Sequence, residues 1–198
     1  MINVLITGVG GQGTVLAAKV LAQAAQDKGW KVRTAETIGM AQRGGGVVSH
    51  VRMGNEGEQV HAPLLARGTA DVMVAFEPAE GARQLPFLAP DGLLVCARTA
   101  IQPVAAALSR APYRGGDVVH RLEELFAQRE GRMKVVDDAP ILAAVGTRRA
   151  LNMVLLAAAL AEGRIPLSVD DLKSAVATCV KPRFVEMNLK AIDAAIAG

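Results

Sequence analysis

Apolar positions along the chain follow two rhythms. Residues 2–7 are a nearly continuous apolar run that stops at glycine, the pattern of a buried strand. From Thr14 the spacing changes, and Val15, Ala18, Leu21 and Ala22 share one face of a helix predicted over 14–28, with Gly29 as its C-terminal cap. Residues 31–37 then predict a second strand, so the first forty residues read as strand, helix, strand and imply a parallel sheet with a right-handed crossover. Residues 47–53 predict a strand closed by Gly54 and Asn55 and paired with 59–61 in a hairpin, an insertion on the α/β plan. Short apolar runs at 71–76 and 93–97 are strands of the buried parallel kind, separated by a proline-broken helical segment over 77–88. Weaker strand signals at 118–119 and 134–137 surround a helix at 121–129.

The last quarter is helical. Residues 152–162 are rich in Ala and Leu, Ser168 is an N-cap with Asp171 three residues on, and Pro182 suits the first position of a helix. No repeat, low-complexity tract or linker interrupts this order. The pattern predicts an α/β fold: a single Rossmann-like doubly wound domain over residues 1–198, with a mostly parallel sheet, a β-hairpin insertion and a helical C-terminal region.

Composition narrows the function. The 198 residues are 51% hydrophobic and 21% charged, which supplies a continuous core and argues against disorder. Aromatic residues make up only 3%, so the core is built from Ala, Val, Leu and Ile, and few platforms exist for stacking nucleic-acid bases. The net charge of +3 comes from basic residues scattered along the chain rather than gathered in a run, which argues against a polyanion partner. Cys96 and Cys179 are far apart and give no support to a disulfide framework or to a zinc or iron–sulfur cluster. The start has no basic leader-like region, and the longest apolar stretch, 153–161, is too short to span a bilayer. The expected location is the cytoplasm, with neither membrane nor nucleic acid as partner.

The chemistry concentrates in two glycine stretches. GVGGQG, residues 8–13, follows the first strand and opens the first helix with the G-x-G-x-x-G spacing. Gly8 suits the tight turn, Gly10 lets backbone approach a phosphate, and Gly13 lets the helix pack on the sheet. The helix N-terminus offers N–H groups and a positive dipole end. This fixes the place and sign of a ligand rather than its identity, and the same glycines also suit a turn that binds nothing. NAD recognition asks for an acidic residue at the end of the second strand, and Glu36, 28 positions beyond Gly8, is the candidate. The second stretch, residues 35–52, carries Gly44, Gly45 and Gly46, flanked by Arg43 and Arg52, whose planar forks of donors suit phosphate or carboxylate. The plainer alternative is a flexible hairpin connection with two solvated arginines.

The segments GVGGQGTVLAAKVLA and AETIGMAQRGGGVVSHVRMG, with RALNMVLLAAALAEGRIP and KPRFVEMNLKAIDAA downstream, strongly resemble the gamma domain of the 2-oxoacid:ferredoxin oxidoreductases over essentially the whole chain. The resemblance implies a subunit of an enzyme that oxidatively decarboxylates a 2-oxoacid with coenzyme A, giving an acyl-CoA, carbon dioxide and reduced ferredoxin. An aryl 2-oxoacid, indolepyruvate, is the first expectation; pyruvate or a branched-chain 2-oxoacid is the alternative within the family. It further implies that a large (alpha) partner subunit carries thiamine diphosphate, magnesium and iron–sulfur clusters, that ferredoxin accepts the electrons, and that this chain alone is inactive. Its own part would be to complete the complex and line the route of coenzyme A. On that reading Gly8, Gly10, Gly11, Gln12, Gly13 and Thr14, with Arg43, Gly44, Gly45 and Arg52, are the candidates to hold coenzyme A phosphates or to meet the partner. The alternative from another class is a free-standing NAD-binding protein using GVGGQG and Glu36.

No catalytic residue is assigned. His50, His61 and His120 lack metal-binding spacing, and His50, beside Ser49 on a strand, is an acid–base candidate for which a structural role is the stronger expectation. Asp137 and Asp138 suit a cation or, more readily, the capping of the next turn. Cys96 is expected to be buried and inert. No serine stands in a G-x-S-x-G elbow. Asn152 and Asn188 either order the crevice or subunit interface or merely pack against loops.

Overall fold

The computed structural model describes residues 1–39, 45–101 and 113–197. Its strands are β1 (Ile2–Val9), β2 (Lys31–Ile38), β3 (Gly46–Gly54), β4 (Ala70–Ala75), β5 (Leu88–Ala97) and β6 (Arg132–Val136). The helices are α1 (Thr14–Asp27), α2 (Pro78–Gln84), α3 (Gly115–Phe126), α4 (Asp138–Val145), α5 (Leu151–Ala161), α6 (Val169–Cys179) and α7 (Pro182–Ala197), with 3-10 turns at Leu85–Phe87 and Arg148–Ala150.

The strands form one sheet in the order β2-β3-β1-β4-β5-β6. β1, β4, β5 and β6 run parallel, while β3 is antiparallel to both β1 and β2. The doubly wound α/β expectation holds, with two corrections to its detail. The hairpin is made by β2 with β3, and β3 lies between β1 and β2, so the two strands joined by α1 point the same way without touching. Residues 59–61 form no strand. β2 offers β3 a full ladder from Lys31↔Gly54 to Ile38↔Val47, which three residues cannot match. The chain after Gly54 folds back at once: a Cβ on Gly54 would collide with Glu58 O. It then buries Val60 and Leu65.

A second correction concerns residues 118–119, which lie inside α3 rather than in a strand. Val119, Leu122 and Phe126 are the buried residues of that helix, spaced three and four apart. Burial of that stripe outweighs the strand preference of two adjacent valines.

Each face of the sheet has its own core. On one, Val4, Ile6, Val72, Val74, Leu93 and Val95 pack with α1, α5 and α6; on the other, Leu5, Met73, Leu94 and Cys96 pack with Leu65, Leu122 and Phe126. Ala17, Ala18, Ala24 and Ala25 of α1 have no exposed surface. Small side chains thus supply close packing where an ordinary core uses aromatics. Residues 151–160 of α5 are all buried, which explains an apolar run without amphipathic rhythm. The expected ends also appear: Ser168 and Asp171 form a reciprocal capping box, and Pro182 opens α7. Among the described residues no single helix is long and apolar enough to cross a membrane.

Candidate functional site

The four parallel strands end together at Val9, Ala75, Ala97 and Val136, and the crevice beyond such ends is where an open α/β sheet places its ligands. GVGGQG leaves β1 there. Gly11 and Gly13 have φ of 99° and 83°, values that only glycine adopts easily, so this turn requires them. Gly8 is required for space: a Cβ would fall 2.7 Å from Gln12 Oε1 and 3.0 Å from Phe76 Cβ. Gly10 donates to Gly45 O at 3.0 Å, so the two glycine stretches do meet.

The structure assigns several candidates to holding the turn. Gln12 Oε1 accepts from Val9 N at 2.6 Å, and its Nε2 donates to Phe76 O at 2.8 Å, pinning the turn to the ends of β1 and β4. Thr14 is buried at the start of α1, its methyl turned towards Gly8. Arg52 stands away from the site. It pairs with Asn3 at the opposite end of β1, about 20 Å from the turn at the usual strand rise, and its guanidinium donates to Asn3 Oδ1 and Ala62 O. The reversed direction of β3 carries it there, which corrects its grouping with the glycine stretches. Arg43 and Gly44 lie outside the described residues.

A cleft of about 290 Å³ opens beside the turn, lined by Gly10, Gly11, Gln12, Ile101, Arg148, Arg149 and Leu151. Arg148 and Arg149 are exposed and belong to the 3-10 turn that leads into α5. Thr147 fixes that turn, its hydroxyl accepting from Arg149 N at 3.3 Å. Two arginines thus line one opening with a glycine turn at the start of α1, a combination suited to phosphate or another compact anion. Sequence reading passed over this pair, although Arg149 opens one of the segments that carry the family resemblance; an arginine doublet just before a helix was the available signal.

Several of the remaining candidates have structural employment. Glu36 is exposed on β2, two strands away from β1, so the β1–β2 edge that dinucleotide recognition uses is filled by β3. His50 is 4% exposed; its Nδ1 accepts from Leu65 N at 3.2 Å and its ring meets Phe87 edge-on at 5.8 Å. Burial pushes its pKa down, which keeps it a neutral packing group. Cys96 is buried, and burial, with lesser contributions from Glu77 and Asp138, pushes its thiol up to about 12. Asp138 Oδ1 accepts from Thr99 N at 2.8 Å, tying the end of β5 to α4. Glu77, 1% exposed, caps α2 by accepting from Glu80 N and also receives the Tyr113 hydroxyl. Asn188 bonds within α7 to Phe184 O at 2.7 Å. Among the described residues no three His, Cys, Asp or Glu side chains cluster as metal ligands.

With this geometry, comparison with known proteins is informative. The family model described as pyruvate ferredoxin/flavodoxin oxidoreductase matches residues 3–198. The chain is 35% identical over 192 residues to indolepyruvate oxidoreductase subunit IorB of Pyrococcus horikoshii, covering 96% of this chain and 92% of that one. The subunit of the same name from Archaeoglobus fulgidus matches with the same identity and coverage. The fold is similar to the gamma subunit of keto/oxoacid ferredoxin oxidoreductase from Geobacter sulfurreducens, with a TM-score of 0.69 and 21% identity over the full length of both chains. It is also similar to part of 2-oxoglutarate:ferredoxin oxidoreductase from Magnetococcus marinus, solved with 2-oxoglutarate, coenzyme A and succinyl-CoA bound. That likeness has a TM-score of 0.72 at 19% identity and covers 99% of this chain and 30% of the other. The solved structures speak to the fold and the sequence matches to descent, and together they place the chain in the pyruvate ferredoxin/flavodoxin oxidoreductase family.

Proposed function

We propose that this chain is the small, gamma-type subunit of a 2-oxoacid:ferredoxin oxidoreductase acting on indolepyruvate, and that its cleft receives the phosphates of coenzyme A. The observation that carries the cleft assignment is the meeting of Gly10 and Gly11 with Arg148 and Arg149 across one opening. Phosphate oxygens entering there meet the dipole end of α1 and two planar cations. The reaction joins the acyl group of the 2-oxoacid to the coenzyme A sulfur, releases carbon dioxide and passes the electrons to ferredoxin. Indolepyruvate as substrate rests on the named relatives.

Thiamine diphosphate, magnesium and iron–sulfur clusters belong, in this reading, to a large partner subunit. This chain offers one buried, inert thiol and one half-buried one, too few for a four-cysteine cluster. Its own work is to bind and orient the cosubstrate and to complete the complex. The separation of Glu36 from the turn gives a free-standing NAD protein little support.

The test is anaerobic mixing of the purified chain with the large subunit, followed by reduction of ferredoxin with indolepyruvate in the presence and absence of coenzyme A. Turnover only in the mixture and only with coenzyme A is expected. Equal turnover by the large subunit alone would overturn the proposal, and a preference for pyruvate or a branched 2-oxoacid would reassign the substrate.

A further inference from the structure

Two helices begin at this cleft. α1 starts at Thr14 beyond the glycine turn, and α5 starts at Leu151 beyond the arginine turn, so both turn a positive dipole end towards the same opening. Asn152, 2% exposed, lies between them. Its Oδ1 accepts from Met153 N at 3.0 Å, in the first turn of α5, and its Nδ2 reaches Gly13 O at 3.5 Å, at the cap of α1. The amide fits so closely against Gly13 that a Cβ there would stand 2.7 Å from Nδ2.

We infer that Asn152 is a positioning residue that fixes the spacing between the glycine turn and Arg148–Arg149, and thereby sets the affinity of the cleft for a phosphate-bearing cosubstrate that it does not itself touch. The inference rests on the coenzyme A reading above. A neutral carboxamide suits the place because it accepts and donates at once. A carboxylate of the same shape has no donor for Gly13 O and adds negative charge beside an anion site. An alanine leaves both helix starts without their bridge.

The test uses the chain assembled with its large subunit. Coenzyme A binding is measured by calorimetry without 2-oxoacid, alongside KM for coenzyme A, KM for the 2-oxoacid and the melting temperature. Asn152→Asp is expected to weaken coenzyme A binding about tenfold and Asn152→Ala about threefold, in Kd and KM alike. KM for the 2-oxoacid moves less than about twofold, since the effect is local. Because Asn152 acts through the arginines, adding Asn152→Ala to the Arg148→Ala/Arg149→Ala variant has little further effect. Should Asn152→Asp fail to assemble, Asn152→Ala carries the test. Unchanged coenzyme A affinity in the Asn152 variants, with the arginine variant weakened, overturns the positioning role and leaves the cleft reading intact. Unchanged affinity in all of them overturns both. Full additivity with the arginine variant, or a melting-temperature loss with both KM values rising together, marks Asn152 as merely structural and also overturns the inference.

Discussion

The two ends of the sheet treat their arginines differently. At the amino ends of the parallel strands, Arg52 binds Asn3 and Ala62, Arg129 binds the carbonyls of Ala89 and Pro90, and Arg164 binds Asp91. At the carboxyl ends, Arg148 and Arg149 are exposed beside the glycine turn and make no ion pair among the described residues. Cations tied to carbonyls and carboxylates knit loops to the sheet. Cations left without an ion partner at the start of α1 keep their capacity for an anion from outside. The lesson is that charge count says little here, and the partners of each charge say most.

The largest effect is expected where the carboxyl end meets the core. Phe76 is fully buried, its N bonded to Thr7 O and its O to Gln12. Phe76→Ala should cost about 4 kcal/mol of stability, read by denaturant unfolding. Next comes Arg148→Ala/Arg149→Ala, expected to weaken coenzyme A binding by about 10- to 100-fold, or roughly 1.4–2.8 kcal/mol, with little change in melting temperature. A large stability loss would show these arginines to be structural, like those at the other end, and erase the contrast.

Gln12→Met should cost about 2 kcal/mol of stability, because it leaves Val9 N and Phe76 O without their partner. Arg52→Ala is the control from the opposite end: a loss of about 1 kcal/mol in stability and no change in coenzyme A affinity. The smallest effect is a pH dependence at His50. Its folded pKa lies below the ordinary 6.5, so the unfolded chain takes up a proton that the folded chain refuses. The stability it contributes is present above pH 6.5 and is lost as the pH falls below it. His50→Gln should flatten that slope in urea titrations across the same range, and an unaltered slope would assign it to other groups.

Local signals in the sequence were legible wherever a few neighbouring residues decide the outcome. GVGGQG needs Gly8 for space and Gly11 and Gly13 for φ, Ser168 and Asp171 cap α6 three residues apart, and Pro182 opens α7. The poor aromatic content announced an alanine-packed core, and the two glycine stretches pointed to the end of the sheet where Gly10 and Gly45 meet. The site was legible only in part. Gly10 and Gly45 do meet, whereas Gln12 and Thr14 hold the turn and Arg52 belongs elsewhere.

Tertiary structure alone decided the rest. Which strand fills the place between β1 and β2 depends on competing ladders of backbone hydrogen bonds, and the sequence of β3 is the same whichever neighbours it finds. Its reversed direction moved Arg52 to the far end without changing a residue. Arg148 and Arg149 join Gly10 and Gly11 only because α5 is buried against the same sheet face as α1. The sequence by itself determined turns, caps and the periodicity of each element, since those are settled by steric and hydrogen-bonding preferences within a few residues. The company each side chain keeps depended on packing between distant segments, whose free energy no local pattern records.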